Sequence, residues 1–289
     1  MTDDETAPLG REPLVIAAFE GWNDAGSAAT SALHHLHEVW GAEIVDALDP
    51  EEFHDFQVNR PVVGFDPETG QRRISWPTTH FATLRTPVLD RHVVLVHGIE
   101  PSLRWRTYSR ELLDVASRLG AGTLVTLGAL LADVPHTRPI PVTTSSESSE
   151  VRLSLGLQES TYEGPTGIIG VLQHAALDRG MPAMSTWAAV PHYVAQPPSP
   201  KATLAILTHL EQLLGEPIPL GELPEEADAW RLGVDELAAE DSEIAEYVAQ
   251  LEEAKDTAEL PEASGEAIAR EFERYLRRRE KGDRGPAGS

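Results

Sequence analysis

Glu20, Asp24, Glu100, Arg104, Arg106, Asp133 and His136 lie in or beside three short polar segments, Glu20 to Asp24, Gly98 to Arg104 and Gly128 to His136, each next to an apolar run. Carboxylates, guanidinium groups and an imidazole gathered in one place would suit a small polar or phosphate-bearing ligand. An anion would rest on the backbone N–H groups of Gly26 or Gly167, with Arg104 beside it. Trp22, Asn23, Gly26, Thr166 and Gly167 complete the candidate ligand or partner site. The same residue types also cap helices and pair with one another at loop ends. That use is preferred unless the residues converge on one open cleft.

Other patterns carry less chemistry. His34, His35 and His37 share a helix without an HExxH motif or a spaced carboxylate, so they read as surface histidines rather than metal ligands. His97-Gly98 lacks the serine of a nucleophile elbow, and neither a P-loop nor a G-x-G-x-x-G is present. Ser145 to Ser149 reads as turn and capping chemistry. The absence of cysteine excludes disulfides, thiolate ligands and thiol nucleophiles. No catalytic residue, metal or cofactor is therefore expected.

The elements that must position the candidates follow from hydrophobic pattern. Leu14 to Phe19 is a near-continuous apolar run between Pro13 and Gly21, the mark of a strand buried on both faces of a parallel or mixed sheet. It breaks into Gly21-Trp-Asn-Asp-Ala-Gly26, where Asp24 or Ser27 would cap the helix that runs to Trp40. Further strands are expected at 42–48, 92–98, 123–127, 140–144 and 183–190, with Gly128 to Thr137 as a loop. Helices are expected up to Leu119, over 150–155, from Pro165 to about Ala176, and over 201–214. Residues 53–86 read as a hairpin-bearing excursion, with short β runs at 61–65 and 73–76. Strands alternating with helices predict a doubly wound, three-layer α/β/α domain.

Charge divides the chain further. The sequence of 289 residues carries 47 acids, 23 bases and a net charge of −24, which argues against broad attraction to nucleic acid or an anionic membrane. Between Glu216 and Glu262, 16 acids face two bases, so this stretch alone carries −14. Trp230, Val234, Leu237, Ile244, Val248 and Leu251 form an apolar stripe there, with a break at Asp241, and Ile268, Phe272, Tyr275 and Leu276 give a last helix a matching face. The expected organisation is a core over 13–215, an acidic helical appendage over 222–280, and flexible tails at 1–12 and 281–289. No membrane span or secretory signal is read, so a cytoplasmic protein is expected.

Five separated motifs resemble one known family. They are Phe19 to Gly26, Gly98-Ile-Glu-Pro-Ser-Leu-Arg-Trp105, Leu127 to His136, Tyr162-Glu-Gly-Pro-Thr-Gly-Ile-Ile-Gly170, and Pro191-His-Tyr-Val with Pro198-Ser-Pro-Lys-Ala202. Together they resemble the bacterial, actinobacterial-type branch of the proteasome assembly chaperone 2 family. The resemblance implies a three-layer α/β/α fold similar to purine nucleoside phosphorylases, without an established activity for this branch. Its eukaryotic relatives are dimeric chaperones of proteasome α-rings, some ending in a hydrophobic-tyrosine-any-residue motif. This sequence ends Gly285-Pro-Ala-Gly-Ser289, so docking by that route is not expected. Two readings follow. The first is a non-catalytic homo-oligomer that binds proteasome subunits or other proteins. The second is an enzyme or sensor that binds a nucleoside or phosphate-bearing compound at the sheet edge.

Overall fold

Leu14–Glu20 forms β1, the middle strand of a seven-stranded sheet, and every residue in it but Glu20 is buried. The structure is a computed structural model that describes residues 9, 12–66, 69–157 and 163–257. After β1 the chain forms α1 (Ala28–Val39), β2 (Glu43–Leu48), a separate two-stranded arm of β3 (Val62–Phe65) and β4 (Arg72–Ser75), then β5 (Thr79–Arg85) and β6 (His92–Ile99). It continues through α2 (Trp105–Arg118), β7 (Thr123–Ala132), β8 (Val142–Ser145), α3 (Ser149–Leu155), α4 (Ile168–Leu177), β9 (Ala183–Pro191) and α5 (Pro200–Leu214). Two further helices, α6 (Leu223–Glu240) and α7 (Ser242–Thr257), end the described part.

The strand order is β2-β5-β6-β1-β7-β9-β8. The four inner strands β6, β1, β7 and β9 run parallel, while β5 opposes β6 and β8 opposes β9. Side chains of β1 alternate across the sheet, as strand geometry requires. Leu14, Ile16 and Ala18 pack with α1 and α5, and Val15, Ala17 and Phe19 pack with α2 and α4. Helices on both faces make the fold α/β with a mixed central sheet in three layers.

Three expectations need correction. Thr79–Arg85 is a full sheet strand, paired with both β2 and β6, rather than part of an excursion. β7 runs on to Ala132, so Gly128 is a strand residue rather than the start of a loop. The missing side chain at Gly128 makes room for the Trp187 indole, which a Cβ there would meet at 2.6 Å. Helix α4 begins at Ile168 behind Gly167, so Pro165 precedes it.

The break at Asp241 is present, and its Oδ1 accepts the N–H groups of Glu243 and Ile244 at 2.9 and 3.4 Å, capping α7. The last predicted helix and both tails lie outside the described residues, apart from Leu9 and Glu12. Among the described residues, no helix is long and apolar enough to cross a membrane.

Candidate functional site

The turn after β1 is held from several sides. Asp24 Oδ1 accepts the Ala29 and Thr30 N–H groups at 2.7 and 3.3 Å, and Oδ2 accepts the Thr30 hydroxyl. The carboxylate thereby satisfies donors that the first turn of α1 leaves free. Burial raises the Asp24 pKa above the ordinary aspartate value, against the pull of those hydrogen bonds. Gly26 takes a left-handed φ of +60°, its carbonyl accepts from Ser199 N at 2.9 Å, and a Cβ on it would lie 2.7 Å from the Ser199 Cβ. Only glycine fits both demands without strain.

Asn23 and Glu100 form a clasp across three elements. The Asn23 carbonyl accepts from Ala129 N of β7 at 2.8 Å, and its Nδ2 donates to Glu100 Oε1 at 2.8 Å. The same Glu100 oxygen accepts Ile168 N at 2.9 Å, at the start of α4, where a carboxylate complements the helix dipole. Gly167 is required here as well, because a Cβ on it would overlap the Asn23 amide. Trp22, Asn23, Thr166 and Gly167 then line a cleft of about 260 Å³ between α4 and the β9–β8 edge. Trp187, Gln173, Ser145 and Ser185 line it too and were not among the sequence candidates. The serine run at 145–149 was the signal available for one of them, and it read as a turn.

The remaining candidates go elsewhere. Glu20 sits 3.4 Å from His97 Nε2, and that imidazole holds its carboxyl below the usual range. Arg104, in a left-handed conformation before α2, is exposed and paired with Glu52. Arg106 is exposed. Asp133 and His136 serve the helical appendage. Tyr247 of α7 donates to Asp133 Oδ1 at 2.9 Å, and His192 Nδ1 lies 3.2 Å from that oxygen.

His136 is 1% exposed and sits between Tyr193 and Asp235 of α6. Burial lowers its pKa, with Asp235 opposing, so the ring is held neutral. The carboxylate can only accept, so Nε2 carries the proton and points to Asp235 at 2.9 Å. Bare Nδ1 then accepts the Tyr193 hydroxyl proton at 2.8 Å, and the same hydroxyl oxygen accepts His136 N–H at 2.7 Å. Arg138 adds contacts from the same loop to Glu252 and Asp256 of α7.

The expected convergence on an anion is therefore not what the geometry provides. Glu100 fills the α4 N-terminus that an anion would have used, and Arg104 turns to Glu52. What the cleft offers is indole, amide and hydroxyl surface with the Glu147 carboxylate and the exposed His174 at its margin. No group of three or more His, Asp or Glu among the described residues could hold a metal ion.

A mixed sheet with parallel inner strands, helices on both faces, and a helical pair tied to the β7–β8 loop defines a class of three-layer α/β protein. Residues 18–238 match the model of the PAC2 family, and the chain belongs to that family. It is similar to a PAC2 family protein from Streptomyces avermitilis, at 55% identity over 82% of this chain and 100% of that one, with a TM-score of 0.77. It is also similar to a proteasome-assembly chaperone homologue from Mycobacterium tuberculosis, at 50% identity over 81% and 99% of the two chains, TM-score 0.73. An archaeal proteasome activator from Pyrococcus furiosus, at 18% identity over 78% and 93% of the two chains, shares the fold with a TM-score of 0.62. No curated protein matches the chain.

Proposed function

We propose that this protein is a non-catalytic, self-associating assembly factor of the proteasome-assembly-chaperone type, with proteasome subunits as its partners. The likeness to the Mycobacterium tuberculosis chaperone homologue, over nearly all of that chain, carries the reading. The use made of the polar residues supports its non-catalytic half. Asp24 caps α1, Glu100 caps α4 and holds Asn23, Arg104 pairs with Glu52, and His136 is consumed between Tyr193 and Asp235. A catalytic acid or base needs a free face toward a substrate, and these groups spend theirs on the fold.

The test is direct binding between the purified protein and recombinant proteasome α-subunits from the same organism, read by mass photometry. A complex of fixed stoichiometry is expected. Its absence at micromolar concentrations of both proteins overturns the reading. The cleft lined by Trp22 and Trp187 favours one rival, a sensor of a small uncharged compound with a planar ring. Denaturing extraction and mass spectrometry of protein purified from its native cells would reveal a retained compound in that case, and none is expected.

A further inference from the structure

The cleft beside α4 keeps unused hydrogen-bonding capacity. Helix α4 packs on β7 and β9, and next to it the same face of the sheet carries Trp187 and Ser185 of β9 and Ser145 of β8. Ser145 and Ser185 are partners in the strand register. Trp22 and Pro165 line the cleft as well, and the Asn23–Glu100 clasp fixes the turn that carries Trp22 to the start of α4. The walls are therefore preformed.

Gln173 lines this cleft and is 9% exposed. Its Nε2 donates to Thr126 Oγ1 at 3.4 Å, while Thr126 donates its own proton to the Met184 carbonyl at 3.3 Å. The Thr126 oxygen can therefore only accept, which fixes the amide with its nitrogen toward β7 and its oxygen away from it. That oxygen has no hydrogen-bond partner among the described residues. Ser185 is 3% exposed, and its hydroxyl meets that of Ser145 at 3.2 Å. Two hydroxyls bring two protons and their mutual bond uses one, so one O–H is left over. Buried polar groups of this kind are normally paired, and a ligand that pairs them is favoured.

One carbonyl acceptor and one hydroxyl donor match the N–H and C=O of an amide. Among the described residues no Arg or Lys lines the cleft, so a phosphate or a chain-terminal carboxylate would find no cation there but the exposed His174. The volume of about 260 Å³ falls below the roughly 300–1,000 Å³ of small-molecule sites, and suits one ring-bearing residue of a longer chain. The indoles supply flat apolar surface of the kind on which proline and aromatic rings pack.

We propose that the cleft receives an internal, uncharged stretch of the partner protein. One proline or aromatic ring lies against Trp22 and Trp187, and its peptide group bonds to Gln173 Oε1 and to the Ser145–Ser185 pair. This rests on the assembly-factor reading and names the feature of the partner that is recognised.

The experiment titrates the full chain with blocked tripeptides, N-acetyl-Ala-X-Ala-amide with proline, phenylalanine, aspartate or lysine at X. The readout is the NMR signals of the six tryptophan indole N–H groups, with Trp22→Phe and Trp187→Phe assigning the two of interest. The proline or phenylalanine peptide is expected to shift both signals at millimolar concentration. Ser145→Leu, which fills the cleft from β8, should weaken that response at least tenfold, with circular dichroism confirming an unchanged fold. Trp22→Ala, at a position 37% exposed, should do the same. No shift with any peptide, or an equal shift with the aspartate and lysine peptides, overturns the proposal. So does a response to adenosine with none to the peptides, which would make the cleft a small-molecule site. Capture of α-subunits, followed by mass photometry, separates the proposal from the reading it rests on. Capture at least tenfold weaker is expected for Ser145→Leu. Unchanged capture by that variant overturns the cleft as the docking site and leaves the assembly role standing, whereas no capture by wild type overturns the assembly role and with it the partner named here.

Discussion

Replacing Glu100 by alanine removes a single carboxylate oxygen that two donors share, Asn23 Nδ2 at 2.8 Å and Ile168 N at 2.9 Å. Hydrogen bonds to a charged acceptor contribute about 1.5–3 kcal/mol each. Glu100 is only half-buried, so water takes over part of that role and the low end applies. The expected loss is about 3 kcal/mol, including the cap of α4. For a chain of this size, that corresponds to a fall of roughly 6–12 °C in Tm. Glu100→Gln keeps a carbonyl acceptor for both donors and loses only the charge, so it should cost about 1 kcal/mol. Thermal and urea denaturation of the two variants should rank them wild type, then Gln, then Ala. If Glu100→Ala melts within about 2 °C of wild type, the clasp is not holding β1, β6 and α4 together. The carboxylate would then be free for a ligand, and its assignment to the fold would be refuted.

Two further predictions use other parts of the same edge. Gly26→Ala combines a left-handed φ of +60° with a Cβ 2.7 Å from the Ser199 Cβ, and should cost at least about 2 kcal/mol by urea denaturation; a loss within error would show that α5 can move aside freely. For His136, burial sets the folded-state pKa below the unfolded one, so the unfolded chain binds the proton first. The stability it contributes is full above about pH 6.5 and is lost as pH falls below that value. His34, His54, His80 and His209 shift the same way, so the informative quantity is the difference between wild type and His136→Gln. The variant should lose less stability than wild type between pH 7 and 5, and equal slopes would refute the role given to the buried ring.

The strand-turn-helix at Leu14 to Val39 was legible because its signals are local: an apolar run, a glycine-bracketed turn and a capping aspartate. β5 was not, since Thr79-His-Phe-Ala-Thr-Leu-Arg85 shows neither clean two-residue alternation nor a continuous apolar run and follows a stretch rich in Pro and Gly. Its strand character comes from pairing with β6, which no local window shows. Gly128 looked like the end of a strand, and only the Trp187 indole above it explains why glycine stands inside one.

The candidate residues were readable as strand-end addresses, but their partners were not. His136 finds Asp235 ninety-nine residues onward, and Glu100 finds Ile168 sixty-eight onward. Such pairings depend on how α6 and α4 are placed by packing, and residue type alone leaves capping, pairing and ligand binding open. The arm shows the converse. Its short β runs and aromatics were visible in the sequence, while their exposure among the described residues emerges only from the fold.

The proposed assembly role stands or falls on the rate of proteasome α-subunit assembly in vitro, with and without this protein, followed by native electrophoresis and mass photometry. A complex with α-subunits and faster appearance of ring or half-proteasome species are predicted. Asp24→Asn should act like wild type, since that carboxylate is assigned to capping α1. An unchanged assembly rate, with no complex at any stage, would contradict the role.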